Sequence, residues 1–184
     1  MDKKTGVYLV LLTAIISGVS IFLNSFAVKG FDSSVFTFSK NVVVAIFLFA
    51  ILLGLGQHKQ LTGLAKKQWL QLAAIGLIGG SIPFLLFFKG LQMTTGATSG
   101  FIHKTMFVFI AALAVLFLKE KITKGIAVGA ALLLAGNYFI LKPDFAFTAG
   151  HALVLAATIL WAAENTLAKH VIKNISGSIV AFGR

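Results

Sequence analysis

The sequence predicts an all-α membrane protein, an inverted-repeat helical bundle with about six complete transmembrane helices and the start of a seventh. Three observations carry this. The chain is 58% hydrophobic, its mean hydropathy is +0.97, and only 11% of it is charged, which is more apolar surface than a soluble domain can hide. The apolar residues fall in long runs parted by short connections. Residues 150–184 repeat residues 6–40 without a gap: Gly6 meets Gly150, Lys29 meets Lys173, Ser34 meets Ser178, Phe38 meets Phe182, and the cation Lys40 meets the cation Arg184. Apolar composition inflates matches of Leu, Ile and Val, so the weight rests on the Gly, Lys and Ser matches and on the terminal cation.

The first run, Val7–Val28, carries no charge and is too long for a signal-peptide core, so it reads as a retained helix. Ser34–Leu55 follows, with Lys40 inside it. Trp69–Phe88 is the third and is uncharged. Ala97–Leu118 is the fourth and holds His103 and Lys104. Gly125–Leu141 is the fifth. Ala152–Ala168 is the sixth and holds Glu164. Gly177–Arg184 opens a seventh. A helix needs about 20 residues to cross the hydrocarbon, so the fifth and sixth runs must draw on their flanks. The connections carry turn residues, as in Lys29-Gly30-Phe31-Asp32, Thr94-Thr95-Gly96 and Lys142-Pro143-Asp144, and short loops make neighbouring helices antiparallel.

Orientation follows from the lysines. With the N-terminus in the cytoplasm, the inner segments hold Lys3, Lys4, Lys59, Lys66, Lys67, Lys119, Lys121, Lys124, Lys169 and Lys173, against Lys29 and Lys142 outside. The net charge of +11 is therefore a topology signal, and no nucleic-acid partner is expected. The expected location is the cell membrane, multi-pass, with the lipid bilayer as first partner. The first run crosses outward and its copy, the sixth, crosses inward, so the two copies are inverted. Inverted halves can exchange conformations, which points to transport of a small-molecule substrate.

Phe117-Leu-Lys-Glu-Lys-Ile-Thr123 is similar to the Leu-Gly-Glu-Arg-Leu-Ser signature of EamA-type transporters in the drug/metabolite transporter superfamily. Lys124–Gly136 resembles that family's fifth helix, Phe38-Ser-Lys40-Asn its second-helix motif, and Gly150–Ala168, with Leu160-Trp161-Ala162, the opening of its second repeat. The chain departs from the pattern at Lys119 for the signature Gly, at Lys40 for Arg, and at Lys104-Thr-Met-Phe107 where a Pro is usual. The resemblance implies two five-helix inverted repeats around a central cavity. Residues 1–142 would form the first EamA-like repeat and 150–184 the beginning of an incomplete second, and the chain reads as the first part of a longer protein.

Ionisable groups in the bilayer are costly and tend to face a cavity or a partner. Glu164, the only acid within an apolar run, is the candidate for a cationic substrate or a coupling proton. A structural pair with a lysine is the bland alternative. Lys40 and Arg184, matched across the repeat, suggest a path for anionic or zwitterionic substrates, with an interface anchor as the alternative for Lys40. His103 and Lys104 are adjacent and point about 100° apart on a helix, so both cannot face one narrow site. His103 is either a relay or a satisfied core residue. Trp161 is deep enough to line a cavity. Gly79, Gly80 and Pro83 predict a kink in the third helix that either gates or merely shapes it. Glu120, between two lysines, is expected to stabilise the turn into the fifth helix rather than touch substrate.

The absence of cysteine excludes thiol catalysis, disulfides and zinc-thiolate sites. No paired acids, His/Asp/Glu metal cluster or Ser/His arrangement stands at usable spacing, so no enzyme, cofactor or metal is expected. The function expected is a secondary transporter of small metabolites working by alternating access. A half-transporter or non-transporting membrane fragment with a role in a homo-oligomer is the competing reading.

Overall fold

A computed structural model describes residues 2–143, 146–171 and 175–184. Asp144 of the predicted turn and Lys173 of the repeat and of the lysine count lie outside the described residues. The helices are α1 (Lys3–Ala27), α2 (Ser33–Gly54), α3 (His58–Thr62), α4 (Lys66–Ile75), α5 (Ile82–Met93), α6 (Gly96–Lys104), α7 (Met106–Leu118), α8 (Lys124–Leu141), α9 (Ala149–Val171) and α10 (Gly177–Gly183). Among the described residues there is no strand. Six runs of the described residues are long and apolar enough to cross a membrane: 4–30, 33–54, 66–93, 96–117, 124–141 and 149–169. The protein is an all-α membrane bundle in a lipid environment.

The third span is α4 and α5 joined by a π-helical turn, Gly76–Ser81. The fourth is α6 and α7, broken at Thr105, whose N–H reaches both Phe101 and Ile102 carbonyls. The sixth span begins three residues earlier than its apolar run, at Ala149. There Thr148 N–H donates to His151 Nδ1 (3.2 Å), so His151 Nε2 must carry the proton and donate to Thr94 Oγ1 (2.8 Å). This cap draws polar residues into the helix that hydropathy alone leaves out.

Helices α1 and α8 present apolar side chains almost all round, as surfaces that face hydrocarbon do. The core lies in two clusters near opposite ends of the bundle. Val28, Phe87, Phe88, Leu91, Val154, Ala157 and Trp161 form one, and Leu52, Leu72, Ile75, Ile175, Ile179 and Val180 the other. Lys40 and Asn41 of α2, Ser81 of the third span, and Glu164 and Asn165 of α9 stand between the two clusters.

Lys119 caps α7 with φ 54°, in the left-handed region. This is where the family signature has Gly, and a left-handed cap is what glycine supplies without a steric penalty. Glu120 forms an ion pair with Lys169 of α9, both partly exposed, so it ties that turn to the sixth span as well as closing it. An exposed pair of this kind contributes under about 1 kcal/mol.

Asp32 caps α2, accepting from Val35 N–H (3.1 Å) and Ser34 N–H (2.9 Å). Those two bonds hold its carboxyl below the usual carboxylate range, with a smaller pull from Lys89. A lowered folded value means that the cap's contribution is complete above the unfolded pKa and fades as pH falls through the folded one. Amide exchange at Ser34 and Val35 is therefore expected to quicken on acidification relative to neighbouring amides. Asp32→Asn, a neutral cap, is expected to lack that excess.

Candidate functional site

A crevice of ≈ 780 Å³ opens between the two apolar clusters. Ser20 of α1, Lys40 and Asn41 of α2, Gly80 and Ser81 of the π-turn, Glu164 and Asn165 of α9, and Arg184 after α10 all line it. Arg184 Nη2 stands 3.1 Å from Glu164 Oε2, with the acid's side chain 2% exposed and the arginine's 38%. The approach is ionic and no directed hydrogen bond reaches that oxygen. Glu164 lies fifteen residues into α9, about 22 Å from its start, deeper than the apolar run alone implies. Lys40 is half-buried with Nζ 4.8 Å from the centroid of the Phe88 ring, a cation–π contact. It has no carboxylate in ion-pairing range among the described residues. The crevice thus presents one compensated acid and one free cation.

The wall opposite Glu164 is built by the break in the third span. Pro83 has no N–H, so the Gly79 carbonyl four residues earlier loses its helical donor. The indole N–H of Trp161 donates to that carbonyl (2.9 Å), and Asn41 Nδ2 donates to the Gly80 carbonyl (2.9 Å). Where the sequence predicts a kink, at Gly79, Gly80 and Pro83, the span passes through a π-turn, and the Gly79 and Gly80 carbonyls are taken by side chains from α9 and α2. Gly79 also has to lack a side chain, because any Cβ there would run into Glu164.

Of the sequence candidates, Glu164, Lys40 and Arg184 converge on the crevice. Trp161 does not line it. It is 5% exposed in the core, one turn of α9 before Glu164, and holds the π-turn in place. His103 packs edge-on against Trp161 (5.1 Å) and Phe87 (5.6 Å), with Nδ1 buried and without a partner. Lys104 faces away, into a separate groove between α1, α6 and α8. Ser20, Asn41, Ser81 and Asn165 are crevice residues that the candidates did not include. Ser20 was signalled, because it is the repeat equivalent of Glu164.

Trp161→Phe keeps the ring contacts and removes the donor to Gly79. It is expected to cost about 1–2 kcal/mol, read as a lower unfolding midpoint in detergent. The loss should shrink in a Pro83→Ala background, where a backbone N–H at position 83 can reach the same carbonyl.

Residues 4–142 match the EamA-like transporter family, three quarters of the chain. The chain belongs to that family. It is also similar to an uncharacterized transporter in the cobO 3′ region of Sinorhizobium sp, 29% identical over 68% of this chain and 89% of that protein. An uncharacterized transporter of Archaeoglobus fulgidus is 26% identical over 88% of this chain, which spans only 56% of that relative's length. No solved structure matches. The match encloses Lys40, the π-turn and the Lys119–Glu120 turn, while Glu164 and Arg184 lie beyond it.

Proposed function

We propose that the protein is a secondary transporter of small charged metabolites, working by alternating access between inverted repeats in the cell membrane, with its N-terminus in the cytoplasm. One observation supports this most: Ser20 and Glu164, and likewise Lys40 and Arg184, are partners in the sequence repeat, and all four line the same crevice. Pairs related by a pseudo-two-fold axis are where an inverted-repeat transporter builds a shared binding site. The apolar clusters at either end of the crevice suit closures that open in turn. A free cation beside a compensated acid suits solutes with a carboxylate or phosphate, with or without an ammonium.

The full-length protein in proteoliposomes is expected to take up at least one member of a panel of radiolabelled organic acids, amino acids and phosphate esters. The cysteine-free sequence also allows a clean topology measurement, since Thr5→Cys and Lys142→Cys each create a single thiol. An impermeant maleimide should label position 142 in intact cells and position 5 only after permeabilisation. No uptake across the panel removes transport. Labelling of both positions from one side removes the inverted arrangement.

A further inference from the structure

Lys104 occupies a groove of ≈ 450 Å³ that is separate from the crevice. The floor is α6, with Gly96, Gly100 and Lys104. One wall is α1, with Gly18, Phe22 and Phe26, and the other is the end of α8, with Asn137 and Leu141. Helices α1 and α8 each pack on α6 but have no extensive contact with one another. Both are apolar spans that the described residues leave largely uncovered, so the gap between them opens between two apolar surfaces. Phe22 and Phe26 on its rim are 62% and 64% exposed.

A lysine here needs an anion. Lys104 lies eight residues into its span, about 12 Å below the Gly96 end. The Cα–Cβ bond of a helical residue tilts toward the helix N-terminus, so its stem leans back toward the nearer interface. Among the described residues no carboxylate is within ion-pairing range of it. An unpaired cation at that depth, in a groove lined mainly by apolar residues with Ser25 and Asn137, is costly unless the membrane supplies the counter-charge. Gly18 and Gly100 keep the walls open: a Cβ at Gly18 would meet nothing within 4 Å, and one at Gly100 only Leu141 Cδ1 at 3.9 Å. The groove is too small for a whole phospholipid. It fits a head region with the start of one acyl chain, the rest running along the exposed rings of α1.

We infer that this groove is a binding site for an anionic phospholipid of the adjoining leaflet, with its phosphate on Lys104. The site is independent of the solute that the crevice takes. The occupant is a lipid rather than a dissolved anion because the groove lies between two uncovered apolar spans and its lining is mainly apolar.

The test uses the full-length protein carrying Phe26→Trp, reconstituted in vesicles containing dibrominated phosphatidylglycerol or dibrominated phosphatidylcholine. The same protein without that substitution gives the background from Trp69 and Trp161. The expected result is a preference of about fivefold for phosphatidylglycerol in quenching the added indole, because its headgroup is net anionic whereas the choline ammonium of phosphatidylcholine opposes the lysine. Lys104→Gln should abolish the preference. Gly18→Leu, which fills open space and leaves the charge untouched, should reduce quenching by both lipids. Equal quenching by the two lipids overturns the inference, as does a preference that survives Lys104→Gln. Loss of the preference in millimolar inorganic phosphate would make the ligand a soluble anion and overturn it too.

Discussion

Glu164→Gln is expected to lower solute flux by about tenfold or more while leaving the fold nearly as stable, because the two partners of its ion pair differ in burial. Glu164 is 2% exposed and Arg184 is 38% exposed. The amide keeps the volume of the acid, so no cavity opens against Gly79. The released guanidinium can turn toward the open crevice and hydrate, which limits the stability loss to about 1–2 kcal/mol. What changes is the field in the crevice, where Arg184 loses its counter-charge and stands beside a Lys40 that already has none. An anion would then be held more tightly and released more slowly, while a solute with an ammonium group would lose its partner. Either way, turnover falls further than stability. Arg184→Gln should have the complementary effect, and the double neutral variant should regain stability without regaining flux if the carboxylate itself is used. Full flux in Glu164→Gln for every accepted solute would reduce the pair to a structural contact and leave the crevice without a working acid.

The spans were legible in the sequence because the bilayer imposes length and hydropathy on each of them, and all six runs lie where the apolar segments stand. The limits of the sixth run were not, because Thr148 and His151 extend it through side-chain bonds that hydropathy does not register. The break at Thr105 was also hidden, with neither Pro nor Gly to mark it. Pro83 announced a disturbed turn, but not its resolution. Its carbonyls are met by Trp161 and Asn41, which are 82 and 39 residues away in sequence, so local reasoning could not find them. The repeat pairs Lys40 with Arg184 in the sequence, but that both reach one crevice with Glu164 is a fact of packing. Lys104 could be separated from His103 by helical geometry alone. Its groove depends on α1 and α8 failing to meet, which is a property of packing and has no sequence signature.

Gly90→Ala is expected to be among the most damaging small substitutions in the protein, costing about 2–3 kcal/mol, although it adds a single methyl group. Helices α5 and α9 form the most extensive pairing in the bundle, and their backbones cross where Gly90 faces Gly150. A Cβ at position 90 would stand 2.7 Å from the Gly150 carbonyl oxygen and 2.7 Å from Val154 Cγ2. One at position 150 would stand 2.8 Å from Met93 Cβ. A carbonyl oxygen cannot rotate out of the way as a flexible side chain can, so relief requires the helices to part. In lipid there is no hydrophobic effect to press them back together, because association rests on close van der Waals contact. Parting α9 from α5 also withdraws Trp161 from Gly79, so the π-turn loses its donor and Glu164 shifts in the crevice. Gly18→Ala is the matched control: it adds the same methyl group on a helix where nothing lies within 4 Å. That change should be neutral or slightly stabilising, since alanine is the better helix former. Thermal unfolding of the two variants in detergent, with flux measured on the same samples, separates the cases. If Gly90→Ala proved as harmless as Gly18→Ala, the close crossing of α5 and α9 would not be what fixes the crevice wall.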